Sequence, residues 1–379
     1  MLPKKLFVVL AALVLLSGCA GRAGLGIGSE GGEPSATVPV FVATSRARTE
    51  NPAQPFSTER ALQLNFAKFD IGIPQRHVPG MVETTGGIAD PARHFTARTF
   101  EDIAGRQQFI AQLDAALMRR PPDEREIFIF VHGYNNNFAD SIFRNAQIVH
   151  DYDLKSVSLL YAWPSGGAVP LYVFDRDSAL VARRGLAETI KIAAQTKATR
   201  IVIAGHSMGA YVVMEALRDL AISGQQRYLK RLGGVVLAAP DIDLDVFQSQ
   251  VRDIGQIPLP FTILVSRRDR ALVVSERIAG GHPRVGSGAD IALLQAEDIA
   301  VLDVSDVSGG THNVFASSET LMDLVSNNDL MRRILEDDAT TDNNTVLASG
   351  SAVIEGTASL VVFLPSRLIG GVANVVAGR

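Results

Sequence analysis

Short, continuously apolar segments alternate with amphipathic segments through most of the chain beyond residue 126. The apolar segments have the length of buried strands and are Ile127–Val131, Val157–Tyr161, Arg200–Ala204, Val235–Ala239, Phe261–Ser266 and Ile299–Val304. The segments with apolar residues at helical spacing are Ala139–Val149, Ser178–Gln195, Gly209–Ile222, Ala271–Ile278 and Ser317–Leu335. Strands that are apolar on both faces belong to parallel sheets covered by helices, and strand–helix alternation requires βαβ crossovers. The pattern therefore predicts a three-layer α/β fold with a mostly parallel central sheet and helices on both faces.

The chain ahead of this series is less regular. Val38–Arg46 predicts a first strand, and Leu64–Pro74 predicts a second strand that the proline ends. The Pro- and Gly-containing stretch that follows, through Gly87, predicts a loop. Apolar residues at helical spacing within Phe100–Arg119 predict a helix before the first buried strand.

The N-terminus has the features of an export signal. Two lysines precede Leu6–Leu16, an uninterrupted apolar stretch that is too short to span a membrane comfortably. It leads through Leu-Ser-Gly into Cys19, and this junction resembles the lipobox of bacterial lipoproteins. The resemblance implies a signal peptide over 1–18, a lipidated Cys19 and location at the outer membrane facing the periplasm. The alternative to a lipoprotein signal is an ordinary secretory signal or an uncleaved anchor. The Gly-rich stretch within 19–37 predicts a flexible tether.

The composition narrows the function classes. Hydrophobic residues make up 47% of the chain and charged residues 20%, which is typical of a folded rather than a disordered protein. A net charge of −4 argues against a nucleic-acid partner, and a single cysteine excludes a disulfide framework, a Cys-based zinc site and an iron–sulfur cluster. We expect one folded domain over 38–339. Periodicity does not decide the structure of the apolar, weakly charged tail over 340–379.

The strongest chemical motif is Gly205-His206-Ser207-Met208-Gly209, which lies between a predicted strand and a predicted helix. This is the G-x-S-x-G nucleophile elbow in the setting that it requires. The tight turn strains the nucleophile, and only glycine fits close to it on both sides. We therefore predict Ser207 as the nucleophile and assign His206 to packing, because a side chain adjacent in sequence points elsewhere.

The catalytic base and acid are expected to follow the serine, with the acid first. Two histidines lie downstream, His282 and His312. His312 follows the last predicted strand, in a loop that can deliver a base above the sheet edge, so we favour it. For the acid we favour Asp269, at the end of the strand before, and keep Asp241 as the alternative because it follows the preceding strand.

An oxyanion hole needs a backbone amide from the residue after the nucleophile and another from the loop after the first buried strand. The first is Met208. In the loop, His132-Gly133-Tyr134 follows the strand directly. We choose the amide of Tyr134, with Gly133 allowing a tight backbone and His132 orienting the loop.

Together these motifs resemble the α/β-hydrolase superfamily, and more narrowly a bacterial family of α/β hydrolases catalogued as a domain of unknown function. The resemblance extends over about 38–335. Its segments include FVATSRA at 41–47, FVHGYNN at 130–136, YAWPS at 161–165, AGHSMG at 204–209, LAAPDID at 237–243 and SRRDRAL at 266–272. It implies the α/β-hydrolase fold with N-terminal antiparallel strands and a triad of Ser207, Asp269 and His312. It implies no substrate.

The sequence thus predicts a lipid-anchored envelope serine hydrolase. It would cleave a small-molecule or lipid carboxylic ester through an acyl-enzyme, without a metal or organic cofactor. Two alternatives stay open. One is a hydrolase of thioester, peptide or lipid acyl bonds; the other is a catalytically silent lipoprotein that uses the fold to bind a partner.

Overall fold

In the computed structural model, the protein is described over residues 22–326, 351–354 and 360–365. One mixed sheet of eleven strands lies at its centre. The strands are β1 (Ala36–Arg48), β2 (Phe56–Ile73), β3 (Thr96–Ile103), β4 (Glu126–Val131), β5 (Val157–Ala162), β6 (Arg200–His206), β7 (Leu232–Ala238), β8 (Phe261–Val265), β9 (Ala300–Asp303), β10 (Ser351–Ile354) and β11 (Leu360–Phe363).

Helices connect most of these strands. In the described ranges they are α1 (Arg106–Met118), α2 (Phe138–Asp151), α3 (Tyr172–Ala194), α4 (Met208–Ile222), α5 (Gln226–Leu229), α6 (Leu244–Ile254), α7 (Arg270–Ile278), α8 (Ile291–Ala296), α9 (Val314–Ser317) and α10 (Glu319–Ser326). Several begin at side chains that cap free amides. In α2, Asn137 and Asp140 form a reciprocal capping box, and Asp243 caps α6.

The strand order is β10-β11-β9-β8-β7-β6-β4-β5-β1-β2-β3. The seven strands from β9 to β1 in this order are parallel, while β2 and β3 at one edge and β10 and β11 at the other are antiparallel. The chain order reverses at β4, which has β5 on one side and β6 on the other. Such a switch point opens a crevice at the carboxyl ends of the two strands.

Apolar side chains fill both faces of the sheet. Phe109 of α1, Leu186 of α3 and Phe247 of α6 belong to the cluster on one face, and Ile142 and Phe143 of α2 belong to the cluster on the other. The predicted three-layer α/β fold, with a mostly parallel sheet and N-terminal antiparallel strands, is confirmed.

The N-terminal third differs from the expected elements. β2 begins at Phe56 rather than at Leu64. Thr96–Ile103 forms an edge strand that the sequence did not predict, and the helix expected around Phe100–Arg119 begins only at Arg106. Phe100 of this strand packs against Phe69 of β2, with ring centroids 5.0 Å apart. An edge strand has a polar exposed face and therefore few apolar residues. In the sequence, the apolar residues at the end of β3 are predicted as the first positions of the apolar helix face that follows.

Residues 22–35 lie against the domain, which differs from the free tether expected through residue 37. Leu25 is 2% exposed, and its carbonyl accepts the amide of Ala97 at 2.8 Å. The domain boundary therefore lies ahead of residue 38. The predicted signal peptide and Cys19 lie outside the described residues.

Two short strands from the C-terminal region, β10 and β11, extend the sheet beyond β9. The apolar pattern within 340–379 thus includes strand residues, while the remainder of that tail lies outside the described residues. The single helix predicted over Ser317–Leu335 is described as far as Ser326, where α10 follows the short α9. In the ranges given above, no helix is long and apolar enough to cross a membrane.

Candidate active site

The candidate residues leave the sheet at one edge. Val131 of β4 pairs with Gly205 of β6, so the loop after β4 and the turn after β6 start from neighbouring positions. β7, β8 and β9 follow in order, and their carboxyl ends lead to Asp241, Asp269 and His312 respectively. The fold thus collects at the switch point the residues that the sequence predicted from separate motifs.

Ser207 occupies the turn between β6 and α4 with a backbone conformation that is rare for a residue with a side chain, at φ 54° and ψ −122°. Its amide donates to the carbonyl of Ala238 at 2.9 Å, and α4 begins at the next residue, Met208. Such strain is concentrated at functional sites. The turn holds Ser207 at the start of a helix, where free amides and the helix dipole favour negative charge.

Three glycines let the elbow, α4 and the loop after β4 approach one another. A Cβ at Gly209 would lie 2.3 Å from the carbonyl oxygen of His132, and one at Gly205 would lie 2.8 Å from the α4 backbone. A Cβ at Gly133 would lie 3.1 Å from Cβ of Ser207. Alanine at Gly209 or Gly205 would force the backbones apart, so these contacts require glycine.

Asp269 and His312 are hydrogen-bonded to each other. Asp269 Oδ2 lies 2.6 Å from His312 Nδ1, and the carboxylate is 1% exposed. The other carboxylate oxygen accepts the amides of Ala271 and Leu272 at the start of α7. With Nδ1–H donated to Asp269, the neutral ring keeps its lone pair on Nε2, which is the nitrogen that a catalytic base requires.

His206 holds the His312 loop next to the elbow. Its Nε2 lies 3.0 Å from the carbonyl oxygen of His312, and the two ring centroids are 4.6 Å apart. On the other side His206 stacks on Phe315 at 4.3 Å. Burial, with a smaller contribution from the His312 charge, lowers the pKa of His206 well below its usual value. His206 is thus a neutral packing residue, as its position next to Ser207 suggested.

Asp241, the alternative acid, is engaged elsewhere. Its Oδ1 accepts the hydroxyl of Ser275 at 2.5 Å, and its Oδ2 accepts the hydroxyl of Tyr172 at 3.0 Å. The buried guanidinium of Arg284 lies 3.4 Å from Oδ1. These contacts tie the loop after β7 to α3 and α7, whereas the His312 ring is bonded to Asp269.

The remaining candidate weighed from sequence, His282, is exposed in the loop after α7. Asp303 and Asp306, near the end of β9, form ion pairs with Arg267 and Arg268 at 3.4 and 2.6 Å. His282 and Asp306 are exposed and Asp303 is buried at the end of β9, and none of these three described residues forms a hydrogen bond or ion pair with Asp269 or His312.

The loop after β4 is fixed by its own side chains. The Asn136 side-chain amide donates to the carbonyls of Gly133 and Tyr134, at 3.1 and 2.8 Å. The hydroxyl of Tyr134 donates to the carbonyl of Val169, and its ring packs edge-on against Tyr172 at 5.4 Å. Because the carbonyls are held by Asn136, the peptide planes next to the elbow have a defined orientation.

A buried arginine that sequence reasoning missed supports this loop. Arg46 of β1 is fully buried, and its guanidinium donates to the carbonyls of Ser57, Ser165 and Asn136 at 3.0 to 3.2 Å. Burial lowers its pKa to about 10, so it remains charged at neutral pH. The sequence signal for this role was a charged residue near the end of an apolar strand. A charged side chain is seldom fully buried unless polar groups pair with it.

Asp175 of α3 is the second buried charge that supports the loop. Its carboxylate accepts the hydroxyl of Ser165 at 2.6 Å, the amide of Gly166 at 2.6 Å and the amide of Asn135 at 3.4 Å. Asn135 has a positive φ of 61°. Asp175 thus joins the loop after β4 to the loop after β5. Local sequence patterns do not predict such a long-range contact.

His132 packs against Trp163 with parallel rings 5.1 Å apart. Its two nitrogens face the carbonyl oxygens of Gly133 and Trp163 at 2.9 and 3.1 Å, although a neutral ring donates to only one of them. Burial, and then the Arg46 charge, lower the pKa of His132 to about 3. His132 is therefore neutral and shapes the loop, which is the role that we expected.

The family described as "Alpha/beta hydrolase of unknown function (DUF900)" matches residues 107–328, more than half of the chain. No curated protein sequence matches. Among solved structures, a putative hydrolase from Agrobacterium vitis S4 is 13% identical with a TM-score of 0.34, covering 76% of this chain and 96% of that one. An esterase from Pyrobaculum calidifontis is 12% identical with a TM-score of 0.31, and the match covers 60% of this chain and 92% of that one.

Lipase B from Aspergillus fumigatus is 13% identical with a TM-score of 0.33 over 54% of this chain. The match spans about half of that lipase's length, 52%.

Proposed function

Because this chain belongs to the family of α/β hydrolases of unknown function, DUF900, we propose that it is a serine hydrolase that cleaves carboxylic esters. The observation that carries the proposal is the 2.6 Å hydrogen bond between Asp269 and His312, whose backbone contacts His206 next to the strained turn at Ser207. A buried carboxylate on Nδ1 of a histidine, next to a serine at a helix start, is the arrangement that activates a serine nucleophile.

In this mechanism Ser207 Oγ attacks the ester carbonyl while His312 Nε2 takes the serine proton. Asp269 holds the ring and stabilises its imidazolium form. Collapse of the tetrahedral intermediate breaks the bond to the alkoxy group, and His312 returns the proton to the leaving alcohol. Water, activated by the same histidine, then cleaves the acyl-enzyme and releases the acid.

The negative oxygen of the intermediate needs preorganised donors. The amide of Met208, the first in α4, has no acceptor within the helix. The amide of Tyr134 belongs to the loop that Asn136, Arg46 and Asp175 hold in place. We assign these two amides to the oxyanion hole, where removal of one donor in comparable enzymes costs about 10²–10³ in kcat.

Apolar side chains near this site favour an ester with a hydrocarbon group. Val169, in the short turn before α3, and Val173, in the first turn of α3, are 69% and 71% exposed. The carbonyl of Val169 accepts the Tyr134 hydroxyl, and Tyr172 between the two valines bonds to Asp241. These apolar groups flank the loop that carries the proposed oxyanion donor. Thioester, peptide and lipid acyl bonds are the competing substrates.

We further propose that the protein is anchored at the bacterial outer membrane through lipidated Cys19. Arg22 donates to the carbonyl of Asn135 at 3.1 Å and forms an ion pair with Asp140 at 3.0 Å. Cys19 is three residues ahead of Arg22, a span of about 10 Å at most for an extended chain. Lipid on Cys19 would therefore hold the loop after β4 close to the bilayer, which suits a small-molecule or lipid ester presented at the membrane.

Hydrolysis of p-nitrophenyl acetate, butyrate, octanoate and palmitate by the wild type and by Ser207→Ala tests the ester proposal. We expect turnover by the wild type, preference for an acyl chain longer than acetyl, and loss of turnover in the variant. Ser223→Ala, at the exposed far end of α4, is the control and should keep full activity. A folded wild type that turns over none of the esters would contradict ester hydrolysis.

A further inference from the structure

Away from the elbow, two histidines and an aspartate bring potential metal ligands together. His77 belongs to the loop between β2 and β3, and His150 and Asp151 end α2. One ligand atom from each of the three residues lies within 4.8 Å of the others. The serine mechanism uses none of these side chains, so their convergence calls for a separate physical explanation.

His77 is oriented by a carboxylate on the side away from the cluster. Glu83 Oε2 lies 2.9 Å from His77 Nδ1, and Glu83 Oε1 accepts the amide of Val78 at 2.8 Å. His77 Nε2 then faces Asp151 Oδ1 at 2.8 Å. Metal-binding histidines characteristically donate one ring N–H to a carboxylate, which fixes the tautomer and leaves the other nitrogen to the metal. Glu83 provides that contact for His77.

Asp151 is held in the same way. Its Oδ2 accepts the amide of Gly80 at 2.6 Å and the side-chain amide of Gln147 at 2.5 Å, so Oδ1 is the oxygen that faces His77. The carboxylate side chain is 1% exposed. Its direction is thus set by neighbours that do not belong to the cluster.

His150 completes the group. Its ring lies 5.5 Å from the ring of His77, and in residues 22–326 we find no hydrogen-bond partner for its nitrogens. A partly exposed imidazole beside an oriented histidine and an oriented carboxylate is a ligand set with an open approach from solvent.

The geometry points to a site for one Zn²⁺ ion, held by His77 Nε2, Asp151 Oδ1 and a ring nitrogen of His150, with water in the fourth position. Two imidazoles and a carboxylate are ligands that suit Zn²⁺, a cation between hard and soft in its ligand preference. Tetrahedral bonds of about 2.0–2.1 Å place ligand atoms about 3.3 Å apart. Small side-chain rotations would therefore open the His77–Asp151 contact and bring His150 inward, while Glu83 stays on His77.

Zinc at this position would join the β2–β3 loop to α2 behind the proposed base. Gly80 of that loop donates to Asp151, and its carbonyl accepts Arg144 of α2 at 3.1 Å. A Cβ at Gly80 would lie 2.6 Å from Cα of Ser317, so the loop also abuts α9, which begins two residues after His312. The ion would stabilise the packing on which the His312 loop rests.

Titration of the full-length, chelator-treated protein with ZnCl₂ tests the proposal by calorimetry, with thermal unfolding measured in parallel. We expect one Zn²⁺ per chain and a rise in unfolding temperature, and no comparable effect of Mg²⁺. His150→Ala keeps the His77–Asp151 and His77–Glu83 contacts but removes one ligand, so its affinity should fall by at least about tenfold. His282→Ala, an exposed histidine outside the cluster, is the control and should bind as the wild type does.

Cobalt substitution gives a readout that does not depend on stability. Co²⁺ bound to this ligand set should show visible absorption bands in the wild type and in His282→Ala, and these bands should disappear in His150→Ala. The competing arrangement is a protonated His77 between two carboxylates, with no ion. No stoichiometric binding in the wild type, or unchanged binding in His150→Ala, would favour that arrangement and overturn the zinc site.

Discussion

The two carboxylate oxygens of Asp269 perform different tasks. One accepts His312 Nδ1–H and the other accepts the first amides of α7, so the carboxylate is fixed in its orientation toward the His312 ring. Asp241 also has both oxygens occupied, but by hydroxyls of α3 and α7 and by Arg284. The sequence left these two acids open because both follow neighbouring strands. Their hydrogen-bond partners, which come from distant segments, favour Asp269.

We expect Asp269→Asn to lower kcat far more than Asp241→Asn. An amide at position 269 favours the wrong tautomer of His312 and cannot stabilise its imidazolium; in serine proteases the equivalent change lowers kcat about 10⁴-fold. Asp241→Asn should act mainly through stability. Steady-state kinetics on an ester that the wild type cleaves would measure both. An inactive Asp241→Asn beside an active Asp269→Asn would reverse the assignment.

Buried neutral histidines should make the protein sensitive to acid. The folded-state pKa of His132 is lowered to about 3, while the unfolded ring titrates near its ordinary value. Below pH 6.5 the unfolded chain therefore binds a proton that the folded chain excludes, and stability falls as the pH drops toward 3. At pH 5 this amounts to about 2 kcal/mol for His132, and His206 acts in the same direction.

Urea unfolding at pH 7 and pH 5 checks this expectation. The free energy of unfolding should be lower at pH 5 in the wild type, and equally so in His282→Ala, whose imidazole is exposed in the native protein. Equal stability at the two pH values would contradict this expectation.

At the level of elements, apolar patterning predicted the six central strands because each is buried on both faces. The sequence does not predict β3, and it leaves the structure of the segment that contains β10 and β11 undecided. These strands lie at the two edges of the sheet, where pairing with the neighbouring strand matters more than local apolar patterning. The G-x-S-x-G motif predicted the turn after β6 because its steric demands are local. The support of the loop after β4 was not predictable, since Arg46 and Asp175 reach it from β1 and α3.

Arg46→Lys should weaken catalysis through this loop. Lysine keeps the charge but loses the planar guanidinium that reaches three carbonyls, which leaves acceptors near the loop unpaired. We expect about 1–3 kcal/mol less stability and a larger fall in kcat than rise in KM, because the oxyanion donor shifts. Arg48→Lys, at the partly exposed end of β1, is the matched control. Wild-type kcat in a folded Arg46→Lys variant would remove Arg46 from the positioning of this loop.

At the scale of the whole molecule, a candidate triad could be proposed from the sequence because chain order restricts each catalytic role to a few residues. The sheet then brings Ser207, Asp269 and His312 to one edge. Contacts such as His206 with the His312 carbonyl depend on segments more than 100 residues apart. Such contacts leave no periodic signal, so the sequence could indicate candidate site residues but not the side chains that hold them in place.

The proposed anchor gives a prediction at the same scale. Cys19→Ser removes the only thiol available for lipidation, so the variant should move from the membrane fraction to the soluble periplasmic fraction. Its activity on a water-soluble ester should be unchanged, because the domain described from Arg22 onward does not include Cys19. Cell fractionation with immunoblotting measures the distribution. If the variant stays with the outer membrane, Cys19 is not the anchor.

The central claim, that Ser207 is an activated nucleophile, is tested most directly by intact-mass measurement after reaction with a fluorophosphonate. We expect the wild type and Ser223→Ala to gain the mass of one phosphonyl group and Ser207→Ala to gain none, with circular dichroism showing that all three are folded. Labelling of Ser207→Ala, or a folded wild type that stays unlabelled, would contradict the account.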